Sequence, residues 1–486
     1  MSIPVISIAQ MREWEKASWA AGKSEADVIR EVGKILARET LRLTKPNDTI
    51  LILAGKGHNG DDARCALEHL SERRARIFDV TNPETDLPQL DSLLRSRPAW
   101  IIDGLFGTGI NRPLGAAWIK FIERINAAKL PVLAVDVPSG LNADSGEPQG
   151  AAIEAAVTLT VGAPKIGLLK HAAARYVGQL TVAEGTGLIE CPHQSELLWT
   201  VPQDFSGFPP RRPVAGHKGT FGHLAIIAGS RGYHGAAVLA SRGAQRAQPG
   251  LITLFTQENS YVPIASQLQS TMVQVWSPKT ELPGKFSAVL IGPGLAASDL
   301  PEELKVTART LWKESPVPII ADASALDWLP PGSIPQNAIR VVTPHPGEAS
   351  RLIKKSSAEV QADRPAALRE ISRPLSNAWV VLKGHQTLVG RSEGPIYINS
   401  SGNPFLGQGG SGDTLSGYLA GLLAQPALQQ DPALTIRYAV WQHGASADLL
   451  TRTHPNWIVE DLLNTLGSVS PASFGNVVRP SGPQRG

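Results

Sequence analysis

Short apolar runs that stop at a glycine or a carboxylate recur along this chain, and they restrict the fold more than any other feature. Thr49-Ile50-Leu51-Ile52-Leu53-Ala54 runs into Gly55, Ala99-Trp100-Ile101-Ile102 ends at Asp103, and Pro131-Val132-Leu133-Ala134-Val135 ends at Asp136. Runs this short, apolar on both faces and bounded by turn residues, fit the strands of a buried parallel sheet. Helical spacing fills the gaps: residues 9–45, with Trp14, Trp19, Val28, Ile29, Val32 and Ile35-Leu36 on one stripe, then the segment from Ala63 to Leu70, then residues 116–128. Strands alternating with helices predict an α/β domain whose ligands bind beyond the carboxyl ends of the strands. The rhythm fades after Gln179-Leu180-Thr181-Val182-Ala183, is broken by Pro209-Pro210 and Arg211-Arg212-Pro213, and restarts at His223-Leu224-Ala225-Ile226-Ile227. In this second series the runs end at Gly229, Gly292-Pro293-Gly294, Asp322, Pro344-His345 and Lys383, and residues 434–450 predict a last long helix. A chain of 486 residues is too long for one ordinary core. The two series therefore predict two three-layer α/β domains, residues 1–205 and 220–486, with a linker at 206–219.

The richest loop is Gly402-Asn403-Pro404-Phe405-Leu406-Gly407-Gln408-Gly409-Gly410-Ser411-Gly412-Asp413-Thr414, followed by Leu415, Leu419, Leu422 and Leu423 at helical spacing. Glycines here bring bare N–H groups together, and a helix starting near Asp413 adds its positive dipole end, which makes an anion cradle. The same field favours an ionised Asp413, and a carboxylate beside a phosphate site is suited to deprotonate a hydroxyl. A glycine turn with an Asp helix cap reads the same residues equally well.

The loop Gly55-Lys56-Gly57-His58-Asn59-Gly60-Asp61-Asp62 is formally G-x-G-x-x-G after a strand, with Asp79 about twenty residues on, as in a dinucleotide-binding fingerprint. Asp61 and Asp62 at the helix entrance would repel a pyrophosphate. They suit hydroxyls, amides or a hard cation better, and a capped polar loop is the plain alternative. Asn59, Asp103 and Asp136 all fall at strand ends, which points to one site. Lys383 would meet a phosphate as a point charge, or be a solvated lysine.

Net charge is only +3, no long basic run occurs and 6% of residues are aromatic, so no nucleic-acid partner is expected. Two cysteines, Cys65 and Cys191, are too few for a disulfide framework or zinc cluster and fit a reducing compartment. No apolar run is long enough to span a bilayer, and the N-terminus lacks a basic n-region. A cytoplasmic protein without membrane partners is expected, and a homo-oligomer.

The ordered set of motifs resembles the bifunctional NAD(P)H-hydrate repair enzymes. Its first half rests on residues 55–62, Asp103-Gly104-Leu105-Phe106-Gly107-Thr108-Gly109 and Val135-Asp136-Val137-Pro138-Ser139-Gly140-Leu141. The second rests on Gly292-Pro293-Gly294-Leu295, Thr343-Pro344-His345-Pro346-Gly347-Glu348, Lys383-Gly384-His385-Gln386-Thr387 and Gly409-Gly410-Ser411-Gly412-Asp413. The resemblance implies a Rossmann-like epimerase domain that interconverts the R and S hydrates of NADH or NADPH. It implies a ribokinase-like domain that uses ADP and Mg²⁺ to dehydrate the S form. It puts potassium on Asn59, Asp103 and Ser139. It puts hydrated cofactor on His58, Asn59, Gly60, Asp61 and Asp62, on Gly107, Thr108, Gly109, Ile110, Asn111, Arg112 and Pro113, and on Asp136, the implied acid/base. In the second half the hydrate meets Ala236, Gly294, His345 and Asp413, the implied base, and the nucleotide meets Lys383, Gly384, His385, Gln386, Thr387 and Gly412.

Two departures from the family pattern carry expectations. Asp61 replaces a glycine and is expected to put charge where backbone should approach ligand. Phe405-Leu406-Gly407-Gln408 replaces Gly-Met-Ala-Thr and is expected to reshape the pocket wall. Three other functions remain open on sequence: a ribokinase-like small-molecule kinase, a non-catalytic nucleotide-binding module in the first half, and a dehydrogenase.

Overall fold

The computed structural model describes residues 2–110 and 112–473. They form two compact units: Ile3–Trp199, and Ser2 with the chain from Thr200 on.

The first unit is built on a six-stranded sheet in the order Arg74–Asp79, Thr49–Ala54, Trp100–Gly104, Val132–Val135, Val157–Val161, Gln179–Ala183, all parallel. Successive residues of a strand face opposite sides. Ile50 and Ile52 therefore pack under helices Glu25–Leu43 and His58–Leu67, against Leu36, Ala37, Ala63 and Ala66. Leu51 and Leu53 pack on the other side against Leu90, Leu93, Phe121 and Ile125 of helices Pro83–Arg95 and Ala116–Ala127. That makes the three layers. Strand order reverses between Thr49–Ala54 and Trp100–Gly104, so a crevice opens at their carboxyl ends. The helical stretch 9–45 is two helices, Ile8–Ala20 and Glu25–Leu43, each with a serine N-cap, Ser7 and Ser24.

The second unit carries parallel strands in the order Trp379–Leu382, Arg340–Val342, Ile319–Ala321, Ala288–Ile291, His223–Ile227, Leu251–Thr256, Met272–Val275, extended beyond Trp379–Leu382 by antiparallel Leu388–Gly390 and Ile396–Ile398. One face is covered by helices His234–Ala247, Ser411–Leu423 and Pro432–Thr453 over Leu224, Ile226, Leu254, Leu290 and Val341. Helices His234–Ala247 and Ser411–Leu423 approach so closely that a Cβ on Gly417 would stand 1.9 Å from the Ala240 carbonyl oxygen, and one on Gly243 2.4 Å from that of Thr414. Glycine is required at both.

Two boundaries differ from expectation. The first domain was expected to end at residue 205, but Thr200–Phe205 belong to the second unit. Phe205 is buried there against Tyr438 and Trp441, and Asp204 is paired with Arg437. Part of the expected linker is also held: Phe208 packs on the same core, and Arg212 bonds Gln425 and stacks on Phe221. The predicted last long helix spans Pro432–Thr453, and a short helix, Val459–Thr465, follows it. Among the described residues no helix is long and apolar enough to cross a membrane.

Candidate functional sites

In the first unit a cavity of about 690 Å³ opens at the strand reversal. His58, Asn59, Asp62, Gly107, Thr108, Gly109, Ile110, Arg112, Pro113 and Asp136 all line it. Asn111 lies outside the described residues. Asp136 follows strand Val132–Val135 in a left-handed conformation, φ 61°, which is costly for a residue with a side chain and is typical of functional positions. Its Oδ1 accepts from Lys165 Nζ at 2.5 Å, Val161 N at 2.9 Å and Thr160 Oγ1 at 3.2 Å. Lys165 is fully buried and also donates to Thr160 Oγ1 and to the Val161 carbonyl.

Two further carboxyls face this group. Burial, then the charges of Asp136, Asp61 and Glu15, push Asp62 well above the carboxylate range. Glu15, on the cavity wall, is raised by burial and by Asp136. The cavity thus offers one carboxyl group paired with an ammonium and two whose pKa burial raises.

Asp103 and Ser139 lie beneath it. Asp103 is 0% exposed, and its carboxylate accepts from Ser139 Oγ (2.6 Å), Ser139 N (2.8 Å) and Leu105 N (3.2 Å). Burial raises it to about 6 despite these bonds, and among the described residues no cationic side chain pairs with it. Asn59 Nδ2 donates to the carbonyls of Phe106 and Val135 beside this group. A buried carboxylate served only by neutral donors, with carbonyl and hydroxyl oxygens around it, fits a monovalent cation.

The expected intrusion of Asp61 does not occur. Asp61 is not among the residues that line the cavity; it pairs with Arg64 at 2.8 Å, and Arg64 also pairs with Asp79 and bonds the Gly55 carbonyl. Two of the loop's three glycines serve packing: a Cβ on Gly55 would meet the Leu105 carbonyl oxygen at 2.1 Å, and one on Gly60 that of Gly55 at 2.1 Å, whereas one on Gly57 would meet nothing. Asp79, the fingerprint acid, is engaged by Arg64.

In the second unit the strand ends converge on Lys383. Its Nζ lies 2.9 Å from Asp322 Oδ1 and 3.8 Å from Glu348 Oε2, and a Cβ on Gly412 would stand 3.3 Å from it. Burial works against its charge, but Asp322, Glu348 and Asp413 outweigh that, and its pKa is raised. Asp413 lies in the first turn of helix Ser411–Leu423. Burial first and Asp322 second raise it to about 6, against the pull of Lys383. It is therefore mostly ionised at neutral pH yet basic enough to accept a proton.

His345 caps helix Pro346–Ile353: its Nδ1 accepts from Gly347 N and Glu348 N, and Glu348 accepts from His345 N at 2.7 Å. The ring is thus held on both sides, with Nε2 3.5 Å from Glu348 Oε1. Gly294, φ 64°, packs on the Tyr233 carbonyl and Ala236, which brings two predicted hydrate contacts together. Gly384, His385, Gln386 and Thr387 form the turn after strand Trp379–Leu382. The expected reshaping by Phe405 and Leu406 takes another form: Leu406 seats on a separate cluster of Ala447, Leu450, Trp457 and Leu462, and Phe405 is exposed.

Lys165 and Glu15 were not singled out from sequence, and Asp322 was read only as the end of a strand. Lys165 follows the strand Val157–Val161, and a scan of every strand end for charged residues within a few positions would have found it. Glu15 sits mid-helix with no local signal.

Comparison with known proteins agrees with this division. A family model described as NAD(P)H-hydrate dehydratase matches residues 224–467, and one for the YjeF-related protein N-terminus matches residues 78–167. The bifunctional NAD(P)H-hydrate repair enzyme of Gloeobacter violaceus is 33% identical, with 93% of this chain and 94% of that one covered. A hypothetical protein of Streptococcus mutans of known structure is 26% identical, with a TM-score of 0.51, and covers 57% of this chain and 99% of its own. An ADP/ATP-dependent NAD(P)H-hydrate dehydratase from Bacillus subtilis, co-crystallised with ATP and Mg²⁺, is 30% identical over 55% of this chain and 95% of its own, with a TM-score of 0.49. One-third identity sustained across both units, with a separate family model on each, means that the chain belongs to the bifunctional NAD(P)H-hydrate repair enzymes.

Proposed function

We propose that the chain repairs hydrated NADH and NADPH in two steps, epimerising the R and S hydrates in the first unit and dehydrating the S form in the second at the expense of ADP. The observation that carries the reading is Asp413, a carboxylate raised to about 6 at a helix start, beside a buried ammonium, Lys383, and a bare glycine, Gly412. Asp413 takes the proton of the C6 hydroxyl, and the oxygen attacks the terminal phosphorus of ADP as AMP leaves. Loss of phosphate from C6 and of a proton from C5 then re-forms the ring double bond. Lys383 meets the phosphates, with Gly384, His385, Gln386, Thr387 and Gly412 around the nucleotide. Ala236, Gly294 and His345 hold the hydrate. Asp322, Glu348 and Asp413 exceed the one ammonium in charge, which fits Mg²⁺ carried in with the phosphates.

In the first unit Asp136 takes the proton of the C6 hydroxyl as the C6–N1 bond opens to an aldehyde and N1 gains a proton. It returns the proton as N1 closes on the other face of the carbonyl, and Lys165 fixes its position. His58, Asn59, Gly60, Asp62 and the 107–113 loop shape the hydrate site. Asp61 contributes to the Arg64 bridge instead. Asn59, Asp103 and Ser139 would hold potassium, which supplies a fixed positive charge under the cavity floor. The reading places the chain in the cytoplasm as a homo-oligomer, which size-exclusion chromatography checks.

The test follows the near-ultraviolet absorbance of reduced nicotinamide with mixed R/S hydrate, Mg²⁺ and K⁺, with and without ADP. Full ADP-dependent recovery, faster than spontaneous epimerisation allows, is expected. Recovery that stops when the S form is exhausted refutes the epimerase half. A lasting phosphate ester in place of NADH refutes the dehydratase half and brings forward a simple kinase.

A further inference from the structure

Arg364 opens helix Arg364–Ser372 and sends its guanidinium under the turn that follows strand Trp379–Leu382. One nitrogen, Nη2, donates to the carbonyls of Leu382 (3.0 Å) and Lys383 (3.2 Å). The other, Nη1, donates to those of His385 and Gln386 (3.3 Å). Four carbonyl oxygens of a five-residue stretch thus point at one planar cation, a fork that lysine does not have. Burial lowers the guanidinium to about 10, so it stays charged at neutral pH.

In a trans peptide the C=O and the N–H of the same unit point in opposite directions. Turning the Lys383 and His385 carbonyls toward Arg364 therefore turns the N–H groups of Gly384 and Gln386 away from it. Among the described residues neither N–H has an internal acceptor. The turn that produces this needs two left-handed residues, Gly384 at φ 129° and Gln386 at φ 53°. Such a conformation persists only where the surroundings enforce it. Two outward N–H groups with one residue between them, next to the buried Lys383 ammonium, make a concavity for an anion.

We propose that Arg364 is a positioning residue for nucleoside diphosphate binding, gathering the carbonyls of residues 382–386 so that the opposite face of the turn presents its N–H groups to the phosphates. The inference rests on the assignment of the 383–387 turn to the nucleotide. The guanidinium of Arg364 donates to backbone carbonyls, and its effect on the reaction passes through the turn.

The test uses the full-length chain with Arg364→Met and Arg364→Lys. ADP binding is measured by calorimetry, and KM for ADP, KM for the S hydrate and kcat by the absorbance assay. Arg364→Met is expected to weaken ADP binding and raise KM for ADP by about tenfold or more, the scale of a lost charge-assisted bond. KM for the hydrate and kcat at saturating ADP are expected to stay close to wild type. Added guanidinium ion is expected to restore part of the ADP affinity of the Met variant and none in the wild type, which a purely structural role would not produce. Arg364→Lys, which keeps the charge without the fork, is expected to fall between, and it decides by the same split if the Met variant does not fold. ADP bound equally by wild type and variants overturns the inference alone, as does a parallel rise in both KM values with a fall in kcat. A wild-type chain that binds no ADP overturns the nucleotide reading and the inference with it.

Discussion

Asp413→Asn should make the second unit more stable while stopping dehydration. The carboxyl is raised from 3.8 to about 6 in the folded chain, chiefly by burial and then by Asp322. A shift of about two units corresponds to roughly 2–3 kcal/mol of native-state penalty on the ionised group, and partial exposure brings that to about 2 kcal/mol. The sign follows from proton binding. Below the ordinary value the group is protonated whether the chain is folded or not, and there is no penalty. As pH rises from about 4 to about 6 the unfolded chain ionises first, so the folded chain loses stability relative to it. Above about 6 the penalty is constant. Asparagine has no such titration, so the variant should exceed wild type by about 2 kcal/mol at neutral pH, and the gap should close as pH falls toward 4. Hydrogen exchange on peptides from helices Ser411–Leu423 and Pro432–Thr453 reads this in the second unit alone. Removal of a general base should lower kcat by about 10³-fold, roughly 4 kcal/mol, with ADP binding retained. A variant less stable than wild type at neutral pH, a stability difference that does not vary with pH, or turnover within tenfold of wild type would refute the reasoning.

Asp136→Asn should abolish R/S exchange, followed by chromatography of the two hydrates, and leave dehydration of pure S hydrate intact; loss of both would refute independent sites. Lys165→Met, close in size but uncharged, strands Asp136 beside Glu15 and Asp62. It should destabilise the first unit by about 3 kcal/mol in urea unfolding and lower epimerisation by at least about 10²-fold. Gly417→Ala places a Cβ 1.9 Å from the Ala240 carbonyl oxygen and should cost the second unit about 1–3 kcal/mol or more. Hydrogen exchange should show faster opening of helix Ser411–Leu423, with epimerisation unchanged.

The strand ends were legible because each apolar run declares its own end, and in a parallel sheet those ends share one edge. Asp103, Asp136 and Lys383 were found in that way, and the 402–414 loop by its glycines ahead of an apolar helix. What sequence could not show is which side chains turn toward each other. Lys165 is an ordinary lysine in sequence, 29 residues from Asp136, and only the pairing of strands Val132–Val135 and Val157–Val161 brings the two within 2.5 Å. Asp61 was legible as an excess charge, but Arg64 one helical turn later redirects it. The domain boundary was misplaced because the proline-rich stretch is more conspicuous than Phe205, whose burial against Tyr438 and Trp441 depends on residues more than two hundred positions away.

Helices His234–Ala247 and Ser411–Leu423 carry Ala236 and Asp413 in their first turns and meet through Gly243, Gly417 and Gly421. Where backbone rests on backbone there is no rotamer to adjust, and neither helix can slip past its neighbour without losing the contact. The span between Asp413 and Ala236 is then a dimension set once, when the chain folds, like the throat of a gauge. A bulkier ring or a longer reach to phosphate has to be absorbed by the loops on either side. Change in what this half of the chain accepts should accumulate at residues 229–233 and 402–410, while the helices between them stay as they are.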